Sequence, residues 1–237
     1  YAGKVSHEKL DSLLRYAAGK LHFYNVSRHS FESLRDEPRN VEINFNNYID
    51  GFSEEVHEVL EYFRFKATVS RLIKHNRLYE MVYTLCYWDF GKDAVNDCDM
   101  NEVFNGLIRY FAFPGKQWME GGRFSSDVNE LLCAMMFATE KHELTRDWII
   151  RAVFDPVCGA GGLLNQAQKY VFDLVKESES KPLIYLYGQD RNETAIAIAK
   201  GRALIAGENA RWFKCGSVLS DNYFKEKKFH YMLSILP

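Results

Sequence analysis

The clearest chemical signal in the chain is a glycine-rich segment that follows a short apolar stretch. It reads Asp155-Pro156-Val157-Cys158-Gly159-Ala160-Gly161-Gly162 and leads into a predicted helix. Glycines at a strand-to-helix turn let the backbone approach a ligand closely and let the helix pack against the strand. The segment therefore predicts a small-molecule site at the end of a strand, with Asp155 at its mouth.

A second acid follows the next apolar stretch, in Gly188-Gln189-Asp190-Arg191-Asn192. A carboxylate at the end of a second strand can accept hydrogen bonds from both hydroxyls of a ribose. The glycine-rich segment and Asp190 together predict a pocket for a ligand that carries a nucleoside.

Two such ligands compete for this pocket. A dinucleotide site usually reads G-x-G-x-x-G and directs a helix N-terminus at a pyrophosphate, which Asp155 would repel. The same acid suits a ligand with a cationic amino group and a sulfonium, and this favours S-adenosylmethionine over NAD. A glycine turn that only connects a strand to a helix is the structural alternative, and Asp190 argues against it. Cys158 has no histidine nearby in sequence, so we interpret it as a small loop residue and not as a nucleophile.

After Gly121-Gly122, strand-like and helix-like segments alternate along the chain, and these are the elements that must position the site residues. Such alternation predicts a parallel sheet with helices on its faces. A helix capped by Ser126 or Asp127 is predicted first, with Leu131, Leu132, Met135 and Met136 on one face. The predicted strands cover 152–154, 183–187, 212–213 and 229–233, and the predicted helices between them cover 162–176 and 192–206.

The first part of the chain has apolar residues at helical spacing in 10–17, 56–63, 69–85 and 103–111, and no catalytic spacing. Ser53 is predicted to be the N-cap of one helix, with acidic residues in its first turn. We interpret the apolar stripes as the core of a helical bundle. The predicted domains are therefore a helical domain over 1–115 and a ligand-binding α/β domain over 116–237.

Composition excludes several classes of protein. Of the 237 residues 47% are hydrophobic and 26% are charged, which is ordinary for a globular protein, and no apolar run approaches the roughly 20 residues of a membrane span. The five cysteines are scattered without zinc-like spacing, so we predict no metal site and reduced thiols in the cytoplasm. The formal net charge of -2 argues against a chain that coats itself in nucleic acid.

Several segments resemble the modification subunits of type I restriction–modification systems. These are class I methyltransferases that act on the exocyclic amino group of adenine in DNA. The glycine-rich segment matches the family's Asp-Pro-Ala-Cys-Gly-Thr-Gly-Gly at all but two positions. Gly188 to Gly207 resembles the family's Gly-Gln-Glu-x-Asn and its Ala-Ile-rich helix, and Gly216 to Asp221 resembles its Gly-Asp/Asn-Thr-Leu-x-Asp turn. The segments 23–27, 47–53 and 104–109 resemble the helical N-terminal domain of the family.

The resemblance implies S-adenosylmethionine as the cofactor. Asp155 and the glycine loop would hold its methionine part, Asp190 its ribose and Ser217 its adenine edge. In full, the implied cofactor-binding residues are Phe124, Ser125, Asp155, Pro156, Cys158, Gly159, Gly161, Gly162, Asp190, Arg191 and Ser217.

The sequence also departs from the family. Phe124-Ser125-Ser126 stands where the family has Phe-Thr-Pro, and Ser217 replaces an Asp or Asn. The segment from Phe229 to Pro237 resembles Phe-Asp-Tyr-Met-Leu-Ser-Asn-Pro-Pro, in which the Asn side chain and the next carbonyl accept hydrogen bonds from the target amino group. Ile235 and Leu236 replace that Asn-Pro, which leaves Pro237 as the matching residue of the catalytic segment.

The resemblance implies an α/β fold in which a helical N-terminal domain precedes a Rossmann-like sheet. Further strands are expected after residue 233, so the sheet is expected to be incomplete at its C-terminal side. The implied function is methyl transfer to N6 of adenine in DNA, with the specificity and restriction subunits as partners. The changes at Ile235 and Leu236 support an alternative, a catalytically inactive or truncated relative that acts as a cofactor-binding or interaction subunit.

Overall fold

The computed structural model describes residues 7–19, 22–89, 94–95, 100, 103–104, 106–108, 126–146, 148–178 and 182–236. The chain forms two compact units, one comprising Tyr1–Leu107 with Lys200–Ala210 and the other Ile108–Ala199 with Arg211–Pro237. None of the helices in the described part of the chain is long and apolar enough to cross a membrane.

The first unit is helical, as the sequence predicts. Its helices are α1 (His7–Ala17), α2 (Phe31–Asp36), α3 (Val41–Asp50), α4 (Glu54–Tyr62), α5 (Phe65–Lys74) and α6 (Leu78–Leu85), with a 3₁₀ turn at Pro38–Asn40. The predicted stripes of α5 and α6 are confirmed as core, since Val69 and Val82 pack with the buried Leu34 and Phe45. The predicted helix around residues 103–111 lies largely outside the described residues.

Helix α1 forms where it is predicted, but the prediction that its apolar stripe is core is wrong. Leu10 and Leu13 are about half exposed. The residues that attach α1 are polar instead, because Arg15 donates hydrogen bonds of 2.8 and 2.9 Å to the buried carboxylate of Glu55. A buried carboxylate needs such a partner, and the Nη2 atom of the guanidinium contacts both of its oxygens.

Ser53 precedes α4 as predicted, but its side chain does not cap the helix. Its hydroxyl is buried and has no hydrogen-bond partner among the described residues. The Ser53 carbonyl accepts the N–H groups of Val56 and His57 instead.

The second unit is built around a parallel sheet. Its elements are α7 (Ser126–Phe137), α8 (Lys141–Leu144), β1 (Ile150–Asp155), α9 (Gly162–Leu174), β2 (Leu183–Asp190), α10 (Glu193–Ile205), β3 (Phe213–Cys215) and β4 (Tyr231–Met232), and the C-terminal part of α10 belongs to the first unit. The strand order is β3-β2-β1-β4 and every pairing is parallel, which confirms the predicted α/β fold. Trp212 was predicted to begin a strand, but it ends a 3₁₀ turn and β3 begins one residue later.

The buried face of α7 differs from the predicted one. Leu131 is 59% exposed and Met135 is 70% exposed, whereas Cys133 and Phe137 are fully buried. Residues 133 and 137 also lie one helical turn apart, so the helix had two candidate stripes at the same spacing. The stripe with Cys133 and Phe137 is the buried one, because the Phe137 ring contacts the rings of both Tyr170 and Tyr231.

Side chains alternate across the sheet and fill both of its faces. Ala152, Phe154 and Tyr187 lie on one face, where Phe224 and Phe229 pack against them. Val153 and Leu186 lie on the opposite face and are almost completely buried. Because all strands are parallel, their carboxyl ends meet at one edge, where Asp155 and Asp190 end β1 and β2.

Candidate cofactor site

The carboxyl edge of the sheet collects the ends of all four strands. Asp155 ends β1 and Asp190 ends β2, while Gly216 and Ser234 closely follow β3 and β4. The strand order reverses between β1 and β4, because β2 lies on one side of β1 and β4 on the other. In open parallel sheets ligands bind outside the carboxyl ends at such a switch point.

The glycine loop has the backbone geometry that only glycine adopts easily. Gly159 and Gly161 have φ angles of 52° and 77°, and Gly161 is the N-cap residue that immediately precedes α9. A side chain at either position would strain the left-handed backbone. The Gly159 N–H donates a 2.8 Å hydrogen bond to Oδ2 of Asp190, so the loop is attached to the end of β2.

The Asp190 carboxylate is held at both of its oxygens. Oδ1 accepts a 2.8 Å hydrogen bond from the backbone N–H of Asn192, and Oδ2 accepts the Gly159 N–H. The Asn192 side chain in turn accepts the Ala195 N–H at the start of α10. Each carboxylate oxygen has two acceptor positions, so each keeps one for a ligand hydroxyl.

Asp155 is a buried acid, only 2% exposed, at the entrance to the loop. Burial raises the pKa of its carboxyl to about 6, and the charge of Asp190 acts in the same direction. The Ser234 hydroxyl and the Val157 N–H, which donates a 3.0 Å hydrogen bond, act against this rise.

The arrangement of Asp155, Asp190 and Ser234 can be compared with the chemistry of S-adenosylmethionine, the cofactor that the resemblance implies. The Ser234 oxygen is buried beside the Asp155 carboxyl, so these two polar groups lie together at the entrance to the loop. A cationic ligand would relieve the repulsion between Asp155 and Asp190, whereas a pyrophosphate would add to it. The residues therefore fit the amino group and sulfonium of S-adenosylmethionine.

Cys158 lies in the loop with its side chain turned inward. A Cβ atom at Gly188 would lie 2.7 Å from the Cys158 sulfur, so the thiol packs directly on β2. Burial raises the pKa of this thiol well above its ordinary value, and the charges of Asp155 and Asp190 reinforce the shift. The thiol stays protonated at neutral pH, which agrees with the interpretation as a small loop residue.

Sequence reasoning missed Gln189. This residue is completely buried, and its side-chain amide makes three hydrogen bonds to the segment 216–223 that follows β3. A glutamine inside an apolar strand, one residue before the predicted ribose-binding acid, was the available signal.

The other predicted site residues lie in the glycine segment, next to Asp190 or after β3, and some lie outside the described residues. Pro156 and Gly162 belong to the glycine segment, Arg191 is exposed beside Asp190, and Ser217 follows Gly216 in the turn after β3. Ile235 and Leu236 follow β4, and Leu236 is exposed. Phe124, Ser125 and Pro237 lie outside the described residues.

The parallel sheet with the strand order β3-β2-β1-β4 is a fold that the chain shares with a solved methyltransferase subunit. Residues 96–237 match the family model described as N-6 DNA Methylase, and the chain belongs to that family.

The solved structures that are similar to the chain include the following two. The first is a type I restriction-modification system methyltransferase subunit from Streptococcus thermophilus, with 16% identity and a TM-score of 0.63 over 97% of this chain. The chain spans 48% of the length of that structure. The second is a Listeria monocytogenes protein assigned to the class I S-adenosylmethionine-dependent methyltransferases, with 13% identity and a TM-score of 0.42 over 78% of this chain and 52% of that one. No curated protein sequence matches the chain.

Proposed function

We propose that this chain binds S-adenosylmethionine at the carboxyl edge of its sheet and acts in the modification subunit of a type I restriction–modification system. The reaction would be methyl transfer to the N6 amino group of adenine in DNA. The observation that carries the proposal is the pair of acids, Asp155 and Asp190, joined through the glycine loop at the switch point. The proposed partners are DNA and the specificity and restriction subunits, and the proposed location is the cytoplasm.

Each element of the edge has a proposed task. Asp155 and the loop from Gly159 to Gly162 hold the methionine part, with Pro156 and Cys158 shaping the loop beneath it. Asp190 accepts the ribose hydroxyls, and Ser217 borders the adenine. Phe124, Ser125 and Arg191 are proposed as further contacts. When bound, the cofactor supplies an electrophilic methyl group, and the chain's own task is to orient it and exclude water.

A specific observation favours a second candidate function, that of a non-catalytic relative that binds the cofactor. Strand β4 pairs with β1, so the residues after β4 lie at the switch point. Ile235 stands there with no side-chain acceptor for the target amino group. Loss of one positioned hydrogen-bonding group at a reacting centre typically costs about a hundredfold or more in rate.

Calorimetric titration tests the cofactor site. Saturable binding of S-adenosylmethionine is expected, and Asp190→Ala should weaken it by about 1–3 kcal/mol through lost charge-assisted hydrogen bonds. Asp173→Ala removes an exposed acid from α9 and should leave the affinity unchanged. Binding of NAD without binding of S-adenosylmethionine would contradict the proposal.

A methyl-transfer assay separates the two candidate functions. Tritiated methyl transfer to DNA is measured with a specificity subunit present, for the unmodified protein and for Ile235→Asn combined with Leu236→Pro. The first function predicts transfer by the unmodified protein, whereas the second predicts little transfer and an increase on the order of a hundredfold in the variant. Robust methylation by the unmodified protein would show that the catalytic segment is misassigned and would favour the first function.

A further inference from the structure

Gln189 is a polar side chain that is 0% exposed, and its side-chain hydrogen bonds to described residues all go to the segment 216–223. Its Nε2 donates to the carbonyls of Gly216 at 3.2 Å and Asp221 at 2.7 Å, and its Oε1 accepts the Tyr223 N–H at 3.3 Å. A buried amide satisfied in this way holds its partners in place, because moving any of them would leave a buried polar group unpaired.

The backbone alone attaches only the beginning of this segment to β2. The Gly216 N–H donates a 2.8 Å hydrogen bond to the Asp190 carbonyl. The Gln189 side chain extends the attachment to Asp221 and Tyr223 further along. The segment then closes on itself, because a Cβ atom at Gly216 would lie 2.9 Å from the Tyr223 ring and the Ser217 carbonyl accepts the Asp221 N–H.

The glycine loop is attached to the same strand end by different bonds. The Cys158 N–H donates to the backbone carbonyl of Gln189 at 3.0 Å, and the Gly159 N–H donates to the Asp190 carboxylate. Neither bond uses the Gln189 side chain. A change of that side chain therefore acts on the segment 216–223 and leaves the bonds of the glycine loop intact.

We propose that Gln189 is a positioning residue for the nucleoside end of the ligand, because it fixes the segment that carries Ser217. This inference rests on the proposed S-adenosylmethionine site. The two loops of that site are then held by different groups. Asp190 holds the glycine loop, and the Gln189 side-chain amide holds the segment 216–223.

Hydrogen exchange without ligand tests the support itself. Gln189→Met keeps the side-chain length and removes all three hydrogen bonds. We expect the exchange protection of the amides in 216–223 to fall about tenfold or more, while that of 157–163 is unchanged. Gln168→Met on α9 makes the same chemical change away from both loops and should alter neither. Unchanged protection in 216–223, or an equal loss in both loops, would overturn the inference.

Titration with S-adenosylhomocysteine tests the consequence for the ligand. Gln189→Met should weaken binding about tenfold or more. A loosened segment with unchanged affinity would overturn the inference and leave the proposed function standing. If the wild-type protein binds neither S-adenosylhomocysteine nor S-adenosylmethionine, the proposed function fails and the positioning role fails with it, whatever the exchange result.

Gln189→Glu supplies a second variant that keeps the shape of the side chain. When protonated, the introduced carboxyl can accept the Tyr223 N–H and donate to the Asp221 carbonyl. Protection factors in 216–223 should therefore fall more between about pH 5.5 and about pH 8 in this variant than in the wild-type protein, in which ionisation of Asp155 alone lowers the stability over this range. A fall no larger than that of the wild type would contradict a role for the Gln189 donors, even if Gln189→Met does not fold.

Discussion

Burial and the neighbouring Asp190 charge both act on the Asp155 carboxyl, and together they make its ionised form costly in the folded chain. Its pKa rises from the ordinary value of 3.8 to about 6. Between these two pH values the folded chain binds more protons than the unfolded chain. The free energy of unfolding therefore falls as the pH rises through this window and stays lower above it.

Asp155→Asn should remove this cost. We expect the variant to have a free energy of unfolding about 1–3 kcal/mol above that of the wild type at pH 8, with little difference near pH 4. The same variant should bind S-adenosylmethionine more weakly, because the charge facing the cationic ligand is lost. Urea denaturation at both pH values measures the first effect and titration the second. An equal gain at both pH values would mean that ionisation of Asp155 is not the cause.

The two acids could be predicted from the sequence because each one ends an apolar stretch, and the carboxyl ends of parallel strands share an edge. The tasks of Gln189 and Ser234 could not be predicted in this way. The partners of Gln189 lie in the segment 216–223, distant in sequence, and only the folded turn brings their carbonyls to the amide. The Ser234 hydroxyl is buried near the Asp155 carboxyl and opposes the rise of its pKa. The sequence alone does not show that these two residues are neighbours.

At the scale of elements, the glycine loop depends on close contact between the strand β2 and the loop. A Cβ atom at Gly188 would lie 2.7 Å from the Cys158 sulfur and 2.8 Å from the Phe213 ring. Gly188→Ala should therefore lower the free energy of unfolding by about 1–3 kcal/mol through overpacking. Gly106→Ala is the matched control, since a Cβ atom there meets nothing within 4 Å.

A double-mutant cycle identifies the contact responsible. Cys158→Ala removes the sulfur from the clash, so the loss in Gly188→Ala combined with Cys158→Ala should be smaller than the sum of the two single losses by about 0.5–3 kcal/mol. Chemical denaturation of the four proteins measures this coupling. Additive losses would place the strain at Phe213 instead.

Helix and strand types followed from the sequence because their periods and their alternation are local properties. The face that a helix buries did not follow in two cases. Helix α7 buries Cys133 and Phe137 because aromatic rings from α9 and β4 meet that side, and the sequence of α7 contains no trace of those rings. Helix α1 is attached through Arg15 and Glu55, an ion pair between segments far apart in sequence.

At the scale of the whole molecule, charge bears on the proposed action on DNA. The 30 basic and 32 acidic side chains leave a formal net charge of -2, so the chain as a whole has no long-range attraction for a polyanion. The proposed system assigns recognition of the DNA sequence to a separate specificity subunit. Neutralising phosphates and reading bases would then be largely the work of that partner.

The protein alone should therefore bind DNA weakly and without sequence preference. In a gel-shift assay at about 150 mM salt we expect a dissociation constant no tighter than the micromolar range that is typical of non-specific binding, with a shallow salt dependence because few phosphates are contacted. A random-sequence duplex library should show no enrichment after selection with the protein alone. The same selection with the specificity subunit added should enrich a defined site. The affinity of the protein for S-adenosylmethionine should be the same in this complex as in the isolated protein. Enrichment of one sequence by the isolated protein would contradict the division of labour, because base recognition would then belong to this chain.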